Sequence, residues 1–212
     1  MADINKLRGL YAITDPCAGH GEDLVEHVRL ALEGGTRVLQ YRDKGGDQAR
    51  RIGEAAALLR LCRKFGALFL INDDVALAAE IGADGVHLGR DDAALVEARQ
   101  VLGPQAIIGV SCYNRLTLAL EAQAAGADYV AFGRFFPSQT KPDAVQAETD
   151  LLVEARARLS VPVVAIGGIT PENGRLLIEH GADALAVIQG VFAQTDIRDA
   201  AARYASLFEK TK

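Results

Sequence analysis

The 212-residue chain predicts an α/β fold, a (β/α)8 TIM barrel in a single domain spanning 1–212, and three observations predict it. A short apolar phrase led by Gly recurs, as GGTRVLQY at 34–41, GADGVHLG at 82–89, GADYVAFG at 126–133 and GADALAVI at 181–188. Further apolar runs fall between the copies, so each interval holds two strand–helix units. The composition is 50% hydrophobic but only 6% aromatic, with 21 Gly, as expected where short loops join many buried strands to helices.

The elements follow in order. GLYAITD at 9–15 reads as the first strand, and EDLVEHVRLALEGG after it places apolar residues three and four apart, the spacing of a surface helix that ends on small residues. The phrase at 34–41 is the second strand, ARRIGEAAALLRLCRKFG the next helix, and ALFLIN at 67–72 the third strand. DVALAAE and DAALVEARQ open the helices on either side of strand four at 82–89, AIIGVS at 106–111 is strand five, and strand six lies at 126–133. The polar stretch PSQTKPDAVQAETD at 137–150 is too short for a domain boundary and reads as a loop with its own task. VPVVAIGG at 161–168, the helix ENGRLLIEHG and the phrase at 181–188 complete eight strands in alternation with about eight helices. A doubly wound open sheet would carry five or six strands and a Gly-rich dinucleotide turn after the first, whereas here the first strand runs into TDPCAGHGED.

Charge narrows the partners. With 23 Lys+Arg against 28 Asp+Glu, net −5, the chain has no basic stripe to replace the counterions of a nucleic acid or an anionic membrane. No apolar run approaches the ~20 residues of a membrane span. Cys17, Cys62 and Cys112 show no C-x-x-C spacing, and the opening MADINKLRGLYAITD lacks a basic region followed by an apolar core, so a cytoplasmic protein is expected. Its partners are expected to be small molecules, with a homo-oligomer left open.

In such barrels the active site lies at the C-terminal ends of the strands, and here those ends are far more polar than the strand interiors. In Gln40-Tyr41-Arg42-Asp43-Lys44, alternation lets Gln40, Arg42 and Lys44 share one face, where the two cations would meet one anion, unless they are simply solvated at a strand end. Asp73 and Asp92 leave strands three and four, two carboxylates suited to Mg2+ beside phosphate oxygens; the alternative is that they cap the following helices. His87, inside an apolar run, reads as a core histidine. Ser138, Gln139, Thr140 and Lys141 offer hydroxyls and an ammonium on the loop after strand six. Gly167-Gly168-Ile169-Thr170-Pro171 brings bare backbone to a helix start, at the place where this fold commonly holds a phosphate. Two anion sites and no Ser-His-Asp or Cys-His arrangement point to a transferase with a pyrophosphate leaving group.

The ordered set LYAITD, QYRDK, INDD, ADGVHLGRDD, IGVS, ADYVAFGRFFPSQTK, VVAIGGI and GADALAVI resembles the thiamine-phosphate synthase family from about Leu10 to Ile188. That resemblance implies a (β/α)8 enzyme joining 4-amino-2-methyl-5-(diphosphooxymethyl)pyrimidine to 4-methyl-5-(2-phosphoethyl)thiazole, with Mg2+, to give thiamine phosphate and pyrophosphate. It implies that Gln40, Tyr41, Arg42, Asp43, Lys44, Asn72, Ser111 and Lys141 form the pyrimidine-pyrophosphate site, with Arg42, Lys44, Ser111 and Lys141 catalytic. Ser138, Gln139, Thr140, Gly168, Ile188 and Gln189 would surround the thiazole phosphate, and Asp73 and Asp92 would bind the metal. Arg134, Ser138, Arg90 and Gln189 depart from the family's usual residues. Two rival readings share the thiazole site, a tautomerase-like paralogue and a non-catalytic thiazole-phosphate-binding barrel; a sugar-phosphate isomerase or aldolase would use the strand-seven cradle alone and leave QYRDK and the Asp pair unexplained.

Overall fold

A computed structural model describes residues 7–15, 18–89, 95–137 and 145–209. Eight strands, β1 (Gly9–Ile13), β2 (Val38–Tyr41), β3 (Leu68–Asn72), β4 (Gly85–Leu88), β5 (Ile107–Tyr113), β6 (Tyr129–Phe132), β7 (Val163–Ile166) and β8 (Ala184–Val187), close into a barrel in chain order. Every pairing is parallel, β1 with β8 included. Each expected strand is present. The helices are α1 (Gly21–Glu33), α2 (Gln48–Phe65), α3 (Val75–Ile81), α4 (Leu95–Leu102), α5 (Leu116–Ala124), α6 (Asp150–Arg158) and α7 (Pro171–Glu179), then a four-residue α8 (Gln189–Phe192) and α9 (Ile197–Ala205). The additional turn α8 starts at the exit of β8, where this fold often places a short extra helix beside a phosphate.

The two-residue side-chain period divides the core in two. Tyr11, Ile13, Val38, Leu68, Leu70, Ile107, Tyr129, Val164 and Ala184 point into the barrel. Their neighbours Leu10, Ala12, Leu39, Phe69, Ile71, Val86, Ile108, Val130 and Leu185 point outward against the helices. Strands buried on both faces explain why the sequence shows continuous apolar runs instead of alternation.

The recurring GAD phrase has a double role. Its glycines, Gly82, Gly126 and Gly181, take positive φ (67°, 93° and 116°) where a helix hands over to the next strand. Its aspartates each accept an amide near the start of the strand before: Asp84 Oδ2 from Phe69 at 2.8 Å, Asp128 Oδ2 from Ile108 at 2.8 Å, and Asp183 Oδ2 from Val163 at 3.0 Å. These latches tie adjacent strands at the N-terminal face, away from the polar exits.

Candidate active site

A cavity of about 730 Å3 opens at the C-terminal ends of the strands, and its walls divide by chemistry. From β2 to β5 the inward residues nearest the mouth are Gln40, Asn72, His87 and Ser111, all polar. From β6 round to β1 they are Ala131, Ile166, Ala186 and Ile13, all apolar, beneath the bare backbone of Gly167, Gly168 and Gly190.

On the polar side, Arg42 lines the cavity and its amide donates to Thr14 Oγ1 at 2.9 Å. Lys44 Nζ, largely exposed, lies 3.6 Å from Asp73 Oδ2. Asn72 Nδ2 donates to the same carboxylate at 2.6 Å. The capping alternative for Asp73 is removed by its neighbour: Asp74 accepts from the Leu77 amide at the start of α3 and pairs with Arg51 at 2.8 Å. Asp73 instead sits at φ 64°, a conformation uncommon outside Gly, Asn and Asp, with its carboxylate beside Lys44. It is thus available as a hard-cation ligand beside Lys44, which follows β2.

Tyr41 and Asp43 lie on the other side of β2, away from Gln40 and Arg42, because the two-residue period turns them toward α2. The Tyr41 hydroxyl donates to Glu54 Oε2 at 2.6 Å, and Arg50 Nη1 joins Asp43 Oδ2 at 2.6 Å, Glu54 Oε2 at 2.9 Å and His20 Nδ1 at 2.9 Å. Burial pushes the Glu54 carboxyl up, but the bonds from Tyr41, the Gly21 amide and Arg50 outweigh it and hold it below the usual carboxylate range. His20, Asp43 and Glu54 lie close enough to share an ion, yet the Arg50 guanidinium already stands among them. The cluster reads as a brace for the loop carrying Arg42 and Lys44.

On the apolar side, Thr170 and Asn173 form a capping box at the start of α7, and Asn173 Nδ2 donates to the Gly168 carbonyl at 3.1 Å. Gly167 and Gly168 take φ 104° and 64°, and a Cβ on Gly168 would meet the Pro137 carbonyl oxygen at 2.3 Å, so this loop admits only glycine there. Ile188 and Gln189 line the same end of the cavity, Gln189 at the start of α8, where the first amides have no intrahelical acceptor. Arg134 also lines the cavity, and its Nε is buried with no hydrogen-bond partner among the described residues. Asp92, Ser138, Gln139, Thr140 and Lys141 lie outside the described residues.

Sequence reasoning missed the floor between the two sides. Gln40 Nε2 donates to Tyr11 Oη at 2.7 Å, Tyr11 Oη and Tyr129 Oη are 2.8 Å apart, and His87 reaches Tyr129 Oη through Nδ1 at 2.8 Å and Ser111 Oγ through Nε2 at 2.9 Å. Tyr129 and His87 stack across Gly109, whose missing side chain makes the room: a Cβ there would lie 1.9 Å from Tyr129 Cζ. Strand alternation was the available signal, since it puts His87 on the inner face once Val86 is assigned outward.

The profile of the family described as thiamine monophosphate synthase matches residues 10–191. The chain belongs to that family. A thiamine-phosphate synthase of Nitrosococcus oceani is 55% identical over 204 residues, covering 96% of this chain and 94% of that one. Another, of Thioalkalivibrio sulfidiphilus, is 55% identical with 96% and 97% covered. Among solved structures, thiamine phosphate pyrophosphorylase from Pyrococcus furiosus superimposes with a TM-score of 0.88 at 36% identity, covering 97% of each chain. Thiamine monophosphate synthases are enzymes, and the matched region takes in all eight strand exits of this barrel. Among the described residues no helix is long and apolar enough to cross a membrane.

Proposed function

We propose that the protein makes thiamine phosphate from the pyrimidine pyrophosphate and the thiazole phosphate, in the cytoplasm, as a single catalytic domain. The observation that carries this reading is the division of one cavity into a polar, cationic side and an apolar side roofed by glycine backbone. Two different anionic substrates then meet across the same space. The pyrimidine lies on the side of Gln40, Asn72 and Ser111, its pyrophosphate on Arg42, Lys44 and Lys141. The thiazole rests on Ile166, Ala186 and Ile188, its phosphate on the side of Gly168 and Gln189 with Arg134 as an additional cation lining the cavity, and the family resemblance adds Ser138, Gln139 and Thr140 to the residues that bind that phosphate.

The residues fit a bound Mg2+, because Asp73 is a carboxylate released from capping, held at the mouth beside Lys44, and Asp92 follows β4 in the sequence. When bound, the ion neutralises charge on the pyrophosphate. The reaction is a dissociative substitution: the bond between the pyrimidine methylene and oxygen breaks, the electron pair leaves with pyrophosphate, and the thiazole nitrogen lone pair closes the new C–N bond. Arg42, Lys44 and Lys141 stabilise the departing charge, and Ser111 donates to it. The cavity walls hold the two rings face to face and keep water from the cation. No proton is abstracted at carbon, which agrees with a floor made of Tyr, His and Ser already committed to one another. The tautomerase-like rival leaves Arg42, Lys44 and Asp73 without a task.

Incubating the purified protein with both substrates and Mg2+, and detecting thiamine phosphate and pyrophosphate in equal amounts, tests the reading. Binding of the thiazole phosphate without turnover would refute it.

A further inference from the structure

The five-residue chain under the cavity, Gln40–Tyr11–Tyr129–His87–Ser111, joins two groups that both face the cavity but do not touch each other. Each tyrosine hydroxyl has one hydrogen to give, and burial pushes both phenols well above their usual range, so each keeps that hydrogen. The directions of the bonds are therefore coupled. If Gln40 Nε2 donates to Tyr11, Tyr11 donates to Tyr129 and Tyr129 to His87 Nδ1. The imidazole hydrogen is then on Nε2, which donates to Ser111 Oγ. That leaves the Ser111 hydrogen to be given into the cavity. Gln40 Oε1, which accepts from no group among the described residues, is left as an acceptor. With the imidazole neutral and every hydrogen of the chain given to an acceptor, reversing one bond reverses all of them, turning Ser111 into an acceptor and Gln40 into a donor.

We propose that this chain is a directional relay in which Tyr11 and Tyr129 are positioning residues that make an anion held at Ser111 select an amino group, and reject a carbonyl, at Gln40. The proposal rests on the reading that a pyrimidine pyrophosphate occupies the polar side. An anionic oxygen beside Ser111 accepts only, so it fixes the relay in the direction that makes Gln40 Oε1 an acceptor. A 4-aminopyrimidine supplies the hydrogen that acceptor needs; a 4-oxopyrimidine sets oxygen against oxygen, and a buried mispaired polar group is costly. Discrimination at one end of the floor is in this way set by what binds at the other.

The test uses titration calorimetry with the monophosphate esters of the 4-amino and the 4-oxo forms of 5-hydroxymethyl-2-methylpyrimidine, each lacking the leaving group. The wild-type protein is expected to prefer the amino ester. In Tyr129→Phe, which keeps the ring stacked on His87 but cuts the relay, Gln40 is free to turn its amide, and the preference should narrow by about tenfold or more. Ser111→Ala should weaken both esters but narrow the same ratio, although Ser111 makes no hydrogen bond to Gln40. A merely structural role for Tyr129 would lower the melting temperature and leave the ratio alone. A folded Tyr129→Phe with the wild-type ratio overturns the relay; should that variant not fold, Tyr11→Phe cuts the same chain and is read in the same way. A wild-type protein that binds neither ester overturns the pyrimidine reading beneath it, whereas one that binds both equally overturns the relay alone.

Discussion

Replacing Asp73 by Asn separates a metal ligand from an ordinary surface carboxylate, and the structure sets the expected size of each effect. The backbone at Asp73 has φ 64°, which Asn tolerates about as well as Asp, whereas Ala there would add strain of roughly 1–2 kcal/mol. The capping bond at the start of α3 belongs to Asp74, so the ~1 kcal/mol of a lost N-cap is not incurred. What the fold loses is the pair with Lys44, 67% exposed and 3.6 Å away, which contributes ~1 kcal/mol or less, while the bond from Asn72 Nδ2 can pass to the amide oxygen of Asn. The melting temperature should therefore move by no more than about 3 °C. The metal loses much more. A carboxylate charge at a typical Mg–oxygen distance contributes about 4 kcal/mol even at the dielectric constant of water. The retained amide oxygen and the release of Lys44 recover part of it, leaving on the order of 1.5–3 kcal/mol, or a Mg2+ requirement raised about ten- to a hundredfold. The assay is the Mg2+ concentration at half-maximal rate, with Asp74→Ala as its counterpart: that variant should lose stability with no change in Mg2+ requirement. Wild-type Mg2+ dependence in Asp73→Asn would refute the metal site and leave Asp73 as no more than a partner of Lys44.

Three further outcomes follow from the packing. Gly109→Ala drives a methyl into the buried Tyr129 ring, so overpacking and the loss of two hydroxyl bonds should cost about 3–5 kcal/mol, readable as a fall of roughly 10 °C in melting temperature. Asp128→Ala removes the latch on the Ile108 amide and the Arg99 pair on the face opposite the cavity, and should lower stability by about 1–3 kcal/mol by denaturant titration while both KM values stay unchanged. Arg50→Met leaves the buried Glu54 with fewer partners. Because the folded-state values of Glu54 and Asp43 lie below their unfolded ones, the brace contributes its full stability at neutral pH, and loses it as pH falls from about 4.5 through the lowered values. The variant should thus be less stable by about 1–3 kcal/mol at pH 7, and the gap to wild type should close in the acid limb of a stability–pH curve.

The barrel was legible because its signal is long-range and redundant: four copies of one phrase and eight apolar runs fix the strand number, and parallel strands buried on both faces leave little other way to arrange them. Within the phrase the glycine was legible and the aspartate was not, since the partner of Asp84 is an amide fifteen residues earlier that no local pattern marks. At the site, Gln40, Arg42 and Lys44 stood out because polar residues at a strand exit contradict the apolar pattern around them, whereas Asn72 and Ser111 were named only through the family resemblance. Tyr41 and Asp43 share that polarity but face α2, and only alternation continued past the end of β2 separates them from Arg42.

The floor is the opposite case. Tyr11 and Tyr129 sit inside apolar strands and satisfy every expectation of a core aromatic. Their hydroxyls become informative only when closure of the barrel brings β1 and β6 face to face across its axis, setting Tyr11 against Tyr129, 118 positions away in sequence. Periodicity reports which way a side chain points but not what it meets, so a hydrogen-bonded network assembled across a closed barrel is invisible to it. Gly109 is the exception: a glycine inside a buried strand costs stability unless something occupies its missing side chain, and the neighbours to which parallel pairing leads, His87 and Tyr129, are the two residues stacked over it.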